Sequence, residues 1–398
     1  MPEERKTSGA PSMPRRTPSS AVMALLSLFL PTLPACQEPV DDPVDQWVQE
    51  WMKDRQIPGL SLAVLQEGRV EKLRGYGLAS LEFDQAATAE TVYRLASVTK
   101  SFTGAAVMRL VQEGRLSLDD PVEQHMSGLP SAWHGITIRR LLSHTSGLPE
   151  IATESGSELR VVAESFPDAL DSLRTRPLQF SPGTAWRYNQ TNYALIQAIV
   201  ESVTDTSFPE FLSEDLLRPA GMEQTTFGGF SAIVPGRGPW YSRLEASEEG
   251  RLRPTDHLHR LHVDYPDFML TTGGLNSTLR DLVAWDQTLR AGTVLSPESA
   301  RELWEPVRLV DESVARLDGK IMGYGLGWGT VDRPGHRAAF ASGGNTVALH
   351  RYLDDDLTVI VLTNCQGAGP NEIAEGVARF WIPALKHDPV FLASSDAG

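Results

Sequence analysis

Apolar residues recur at helical spacing in Val44, Trp47, Val48 and Trp51, which predicts an amphipathic helix at the head of the folded chain. Two strands are predicted next, Gly59-Leu-Ser-Leu-Ala-Val-Leu65 and Val70-Glu-Lys-Leu-Arg-Gly75, joined by a turn at Glu67-Gly68. The far end mirrors this order. Ala338 to Ala341, Val347 to Tyr352 and Leu357 to Thr363 read as strands, Asp354-Asp355-Asp356 turns between the last two, and Asn371 to Leu385 reads as a closing helix. The middle, about 115 to 320, reads as mostly helices and Gly/Pro-rich loops with no internal repeat. Strands from both chain ends can share one antiparallel sheet if a helical insertion folds on its side. The expected fold is therefore mixed α/β plus all-α. Its sheet part covers about 44–115 and 320–390 and is flanked by helices, a mainly helical part of about 116–319 is inserted, and 391–398 forms a tail.

The first 36 residues break this pattern and are excluded from the fold. Arg5, Lys6, Arg15 and Arg16 precede the apolar run Ala21 to Leu30, with small residues and Cys36 beyond, the layout of an export signal. The run stops at Pro31, well short of the roughly 20 residues a permanent membrane span needs. Leu33-Pro34-Ala35-Cys36 resembles a bacterial lipobox, although Pro34 is unusual there, so Cys36 either becomes a lipidated N-terminus, or the segment is simply cleaved, or it stays as an unprocessed tail. Residues 37–43 then form a linker. The expectation is an exported bacterial protein, periplasmic or in the cell envelope, with a membrane contact only through a lipid on Cys36.

With 398 residues and 41% apolar content the chain can bury a large core. Its 36 Lys+Arg against 51 Asp+Glu, with no basic block, argue against nucleic acid or an anionic membrane surface as the main partner. Of the 2 cysteines, Cys365 follows the apolar run 357–363 and reads as a buried structural thiol.

Candidate chemistry begins at Ser97-Val98-Thr99-Lys100. Three residues apart on a helix, the Ser hydroxyl and the Lys amine share a face. A lysine held neutral by burial can take the proton of a serine that is otherwise a weak nucleophile. Burial is suggested by Val107, Met108 and Val111, and close packing by Thr103-Gly104-Ala105-Ala106. The run His257-Leu-His259-Arg-Leu-His262, with Asp256 and Asp264, carries metal-ligand residue types, but such spacing in a polar loop reads as solvated surface, and no metal or organic cofactor is assigned. Gly59-Leu-Ser61-Leu-Ala63 lies in a strand pattern with no helix after it, so it is not a nucleophile elbow. Thr278 and Asp281 form a capping box at the head of a helix.

Around Ser97 stand, in order, Leu141-Leu-Ser-His-Thr-Ser-Gly-Leu-Pro149, Pro182-Gly-Thr-Ala-Trp-Arg-Tyr188, Gly221-Met222, Gly273-Gly-Leu-Asn-Ser277, Tyr324-Gly-Leu-Gly-Trp328, Ser342-Gly-Gly344 and Leu362-Thr-Asn364. Together they resemble the serine β-lactamase-related family of class C β-lactamases, DD-peptidases and esterases, over about residues 45 to 385. The resemblance implies a cleft between sheet and helical parts, Ser97 as acylated nucleophile, Lys100 as its activator and Tyr188 as proton relay. It implies an oxyanion hole from the backbone N–H groups of Ser97 and Gly344, substrate contacts from Gln190, Ser342 and Gly343, and a structural turn at His144. Two positions depart from the family pattern: Gln190 stands where Asn is usual, and Ala341 where Lys or His is usual. Ala cannot hold a substrate carboxylate, which disfavours penicillins and peptidoglycan peptides unless Arg337, Arg351 or His350 supplies the charge. The expected activity is hydrolysis of a small ester, amide or peptide through an acyl-enzyme. The alternative is a catalytically feeble relative that binds peptidoglycan fragments or peptides.

Overall fold

The computed structural model describes residues 42–155, 158–161, 163–229, 232–246, 252–263, 265–316 and 322–392. The leader, Cys36, most of the linker, Asp264 and the last residues of the tail lie outside them. Helix α1 (Pro43–Arg55) buries Val44, Val48 and Trp51 of the predicted apolar stripe, together with Met52, and leaves Trp47 half-buried. Strands β1 (Gly59–Gln66), β2 (Arg69–Ser80) and β3 (Gln85–Ala86) follow. Gln66 pairs with Arg69, so Glu67 and Gly68 alone make the turn, with φ of 52° and 77°. Two left-handed residues match the natural twist of a hairpin, and the second is a glycine.

Among the elements that follow are helices α2 (Thr99–Gln112) and α3 (Gln190–Thr204), the hairpin β4 (Tyr241–Ala246) and β5 (Leu252–Arg260), and helix α4 (Leu279–Ala291). The sheet resumes with β6 (Met322–Tyr324), β7 (Gly329–Val331), β8 (Ala338–Gly343), β9 (Val347–Tyr352) and β10 (Leu357–Thr363), then β11 (Cys365–Gln366) and helix α5 (Pro370–Ala378). The order across the 8-stranded antiparallel sheet is β6-β7-β8-β9-β10-β1-β2-β3, so strands from both chain ends meet where β1 pairs with β10.

Side-chain alternation on these strands divides the core in two. Leu60, Leu62 and Val64 of β1, with Val359 and Val361 of β10, face α1 and α5. Ala63, Leu65, Ile360 and Leu362 face the helical part, together with Phe102, Ala105 and Ala106 of α2. Each fully buried Leu or Val side chain contributes about 1.5–3 kcal/mol, so the β1–β10 junction is held from both faces.

Two expectations are corrected. The closing helix ends at Ala378, and Pro383–Lys386 forms a separate 3-10 turn, because Pro383 has no N–H and its ring obstructs the turn before it. The middle also contains strands: His257 and His259 lie on β5 rather than in a loop. Thr278 does cap α4, its side chain accepting from Asp281 N–H. Cys365 is buried, which raises its thiol pKa to about 11 and leaves it inert.

Candidate active site

Ser97 sits in a 3-10 turn (Ala96–Val98) that leads into α2. Ala96 has φ of 44°, a left-handed conformation costing about 1–3 kcal/mol for a residue with a Cβ. Packing against Trp240 and Leu261 holds it there.

Lys100, one turn on, is 1% exposed. Its Nζ donates to the Thr272 carbonyl at 2.7 Å and lies 3.5 Å from Ser97 Oγ. The same nitrogen lies 4.8 Å from the ring centre of Tyr188 and 5.2 Å from that of Tyr193. Tyr188 OH donates to Ser97 Oγ at 2.9 Å, across 91 residues of chain. The three groups predicted to carry the chemistry therefore meet at one hydroxyl.

Glycines let the backbones approach. A Cβ on Gly343 would lie 2.2 Å from Leu95 O and 2.8 Å from Ser97 N, so the end of β8 touches the Ser97 turn directly. Gly344 has φ of 57° and lies under the Trp240 ring. On the other side, a Cβ on Gly104 would fall 2.2 Å from Leu326 O, which bears out the close packing expected of that segment.

The cavity over Ser97 measures 140 Å³ and is lined by Ser97, Tyr188, Tyr324, Gly327, Gly329, Phe340, Ala341 and Ser342. Ser342 faces it, whereas Gly343 and Gln190 are absent from the lining. Gln190 opens α3, and its backbone N–H donates to the Glu150 carboxylate at 3.1 Å. Burial raises the Glu150 pKa, against the lowering effect of backbone hydrogen bonds and of the Lys100 charge. The three side chains considered as substitutes at Ala341 are engaged elsewhere. Arg337 pairs with Asp354 at 2.8 Å, Arg351 with Asp286, and His350 with Asn371 at 2.9 Å.

His144 is buried and has φ of 59°, the structural turn expected of it. Its Nδ1 accepts from Asn189 N–H at 3.2 Å and from Asn192 Nδ2 at 3.1 Å, which assigns the proton of the neutral ring to Nε2. Burial, with the Lys100 charge, pushes its pKa well below the ordinary histidine value. The ring stacks obliquely on Tyr188, centres 4.4 Å apart. Sequence reasoning missed three contributors. Thr272 acts through a carbonyl, for which no side-chain signal exists; Trp240 lies in no motif; Glu150 adjoins the quoted Leu141–Pro149 segment.

Residues 44–380 match the family described as Beta-lactamase, which is most of the chain. The chain belongs to the Beta-lactamase family. Penicillin-binding protein 4* of Bacillus subtilis (strain 168) is 28% identical over 323 residues, covering 78% of this chain and 68% of that protein. Protein flp of Staphylococcus aureus (strain MW2) is 35% identical over 177 residues, 43% of this chain and 35% of flp, so this match spans about a third of that relative. Among solved structures, EstCE1, a hydrolase with promiscuous acyltransferase activity, superimposes with TM-score 0.68 at 21% identity, covering 82% of this chain and 94% of EstCE1. D-amino acid amidase from Ochrobactrum anthropi SV3 does so with TM-score 0.70 at 22% identity, covering 86% and 99%. These two structural likenesses establish the fold. As a member of the Beta-lactamase family the chain is a serine hydrolase.

Proposed function

We propose that the chain hydrolyses small, neutral esters or amides through an acyl-enzyme on Ser97. The observation that carries this reading is the convergence of Tyr188 OH at 2.9 Å and Lys100 Nζ at 3.5 Å on Ser97 Oγ. Both are within reach for proton transfer, so hydrolysis is favoured over passive binding of a peptide or peptidoglycan fragment. Ser97 Oγ bonds to the substrate carbonyl carbon while its proton passes to the Tyr188–Lys100 pair. As the tetrahedral species collapses, the bond to the leaving oxygen or nitrogen breaks and the pair returns that proton to it. Water then attacks the acyl carbon, gives a proton to the same pair, and frees the acid and Ser97.

Backbone N–H groups of Ser97 and Gly344 serve as the oxyanion hole, since the close approach of Gly343 to Ser97 N brings the two segments together. Ser342 contacts the substrate from the cavity wall, beside Gly343. Ala341 leaves the wall without a cation for a substrate carboxylate, which supports neutral acyl groups over penicillins. Gln190 acts from behind the wall, by fixing the start of the helix that follows Tyr188. The names of two structural neighbours are compatible with this reading: a hydrolase with promiscuous acyltransferase activity and an amidase share the fold.

Export under the direction of residues 1–36, with cleavage before Cys36 and a cell-envelope location, completes the proposal. It rests on the charged and apolar pattern of the leader. Among the described residues no helix is long and apolar enough to cross a membrane. Incubation with a fluorophosphonate probe, followed by peptide mass spectrometry, tests the chemistry. The adduct is expected on Ser97, and labelling of the Ser97→Ala variant at the wild-type level would overturn the assignment.

A further inference from the structure

The β4–β5 hairpin brings together three metal-ligand side chains that are scattered in the sequence. His257 and His259 lie two residues apart on β5, and Glu245 comes from β4. The pairing is irregular: His259 faces Ser242 and Pro254 faces Leu244, so residues 255–258 bulge opposite Arg243. Thr255 Oγ1 braces this bulge by donating to Arg243 O at 3.2 Å and to His257 O at 2.8 Å. The bulge carries His257 toward Glu245, leaving His257 Nε2 at 3.2 Å from Glu245 Oε1. One donor atom from each of the three residues falls within 4.8 Å of the others. Bulges commonly re-aim side chains at functional sites in this way.

We propose that Glu245, His257 and His259 bind one divalent transition-metal ion of the zinc type. Two imidazoles and one carboxylate form a nitrogen-rich donor set that suits zinc, nickel or copper better than calcium or magnesium, which take oxygen ligands. With metal–ligand bonds of about 2.0–2.1 Å, two ligands on a tetrahedral edge stand about 3.3 Å apart. The His257–Glu245 separation is already of that size. Glu245 and His257 are exposed, and His259 Nδ1 has no hydrogen-bond partner, so side-chain rotation can close the remaining gap. A solvent molecule takes the fourth position.

A plain surface ion pair accounts for His257 beside Glu245 but not for His259. A metal ion engages both rings through ring-nitrogen lone pairs, together with the carboxylate. The ion joins the two strands of a hairpin that begins one residue after Trp240, the side chain lying over Gly344 and against Ala96. It therefore stiffens a wall of the Ser97 neighbourhood without entering the chemistry.

The test is calorimetric titration of chelator-treated full-length protein with zinc chloride. One ion per chain is expected, and His257→Ala and His259→Ala should each weaken binding by at least about tenfold. Zinc should raise the melting temperature of the wild type and not of the double variant. Cobalt substitution should give visible d–d bands without thiolate charge transfer. Absence of zinc binding by the wild type would overturn the proposal. So would unchanged binding by the double variant, or a thiolate band, either of which places the ion elsewhere. Retained circular dichroism and ester hydrolysis identify variants that fold.

Discussion

Two buried charged groups, one on each side of the main sheet, are answered in opposite ways. On the face toward α1 and α5, Arg333 donates to Glu375 at 3.0 Å, and Glu375 also accepts backbone N–H groups of Val390, Phe391 and Leu392. On the cleft face, Lys100 meets a neutral carbonyl, a neutral hydroxyl and two aromatic rings. A buried charge answered by an opposite charge and several hydrogen bonds is locked, since moving its proton would leave a bare ion. Lys100 stands within reach of two hydroxyls, those of Ser97 and Tyr188, with which it is placed to exchange a proton. Burial is common to both groups; what separates structure from chemistry is a hydroxyl within reach that can take or give a proton.

The sharpest way to break this contrast is to cut one group on each side. Ser97→Ala should lower ester hydrolysis by more than about 10³-fold while leaving the urea midpoint nearly unchanged. Glu375→Gln should do the reverse, removing about 3–5 kcal/mol of stability with little change in kcat per folded molecule. If Glu375→Gln abolished activity in fully folded protein, the division between the faces would fail. Lys100→Arg keeps a charge but not an exchangeable one. Hydrolysis should fall by roughly 10²–10⁴-fold, and the rise in rate from acid to mildly alkaline pH should disappear. An Arg variant with the wild-type rate would remove lysine from the proton path.

The buried histidines sharpen the comparison further. His350, on the far face, has its pKa lowered from 6.5 to about 4, chiefly by desolvation. The folded pKa is depressed, so below pH 6.5 the unfolded chain binds a proton that the fold excludes. Its contribution is thus present above that pH and is lost as pH falls toward 4, by up to about 3 kcal/mol. Urea melts at pH 7 and 4.5 should show a smaller acid loss in His350→Gln, with hydrolysis retained. His144 is depressed in the same direction, but its ring rests on Tyr188, so His144→Gln should also lower kcat. Equal kcat in the two variants would show that the Tyr188 contact is only packing. The smallest expected effect is at Ala341. Ala341→Lys should improve a cephalosporin over a neutral ester by about 10- to 100-fold in kcat/KM, the worth of one charge-assisted hydrogen bond. No selective gain would mean that the carboxylate is bound elsewhere.

Much of this was legible in the residues because it is local. The β1–β2 hairpin follows from alternation and a turn at Glu67-Gly68, and the Ser97–Lys100 spacing follows from helix geometry. The closing helix was read too long because an apolar pattern ran on through a proline. The partners of Arg351 and His350 were not legible, since they lie on α4 and α5, far away in sequence.

The sequence by itself determined the sheet strands at both chain ends, the Ser97–Lys100 spacing and the family, because periodicity, turn residues and ordered motifs are written in neighbouring positions. Only the tertiary structure decided that Tyr188 reaches Ser97, that the Thr272 carbonyl receives Lys100, that Trp240 covers Gly344, and that Glu245 joins His257 and His259. The first three depend on packing between segments distant in the chain, in the case of Thr272 on a backbone atom that every residue carries alike, and the last on the irregular pairing of one hairpin. Proximity of that kind is set by how two surfaces fit, which no single stretch of residues encodes.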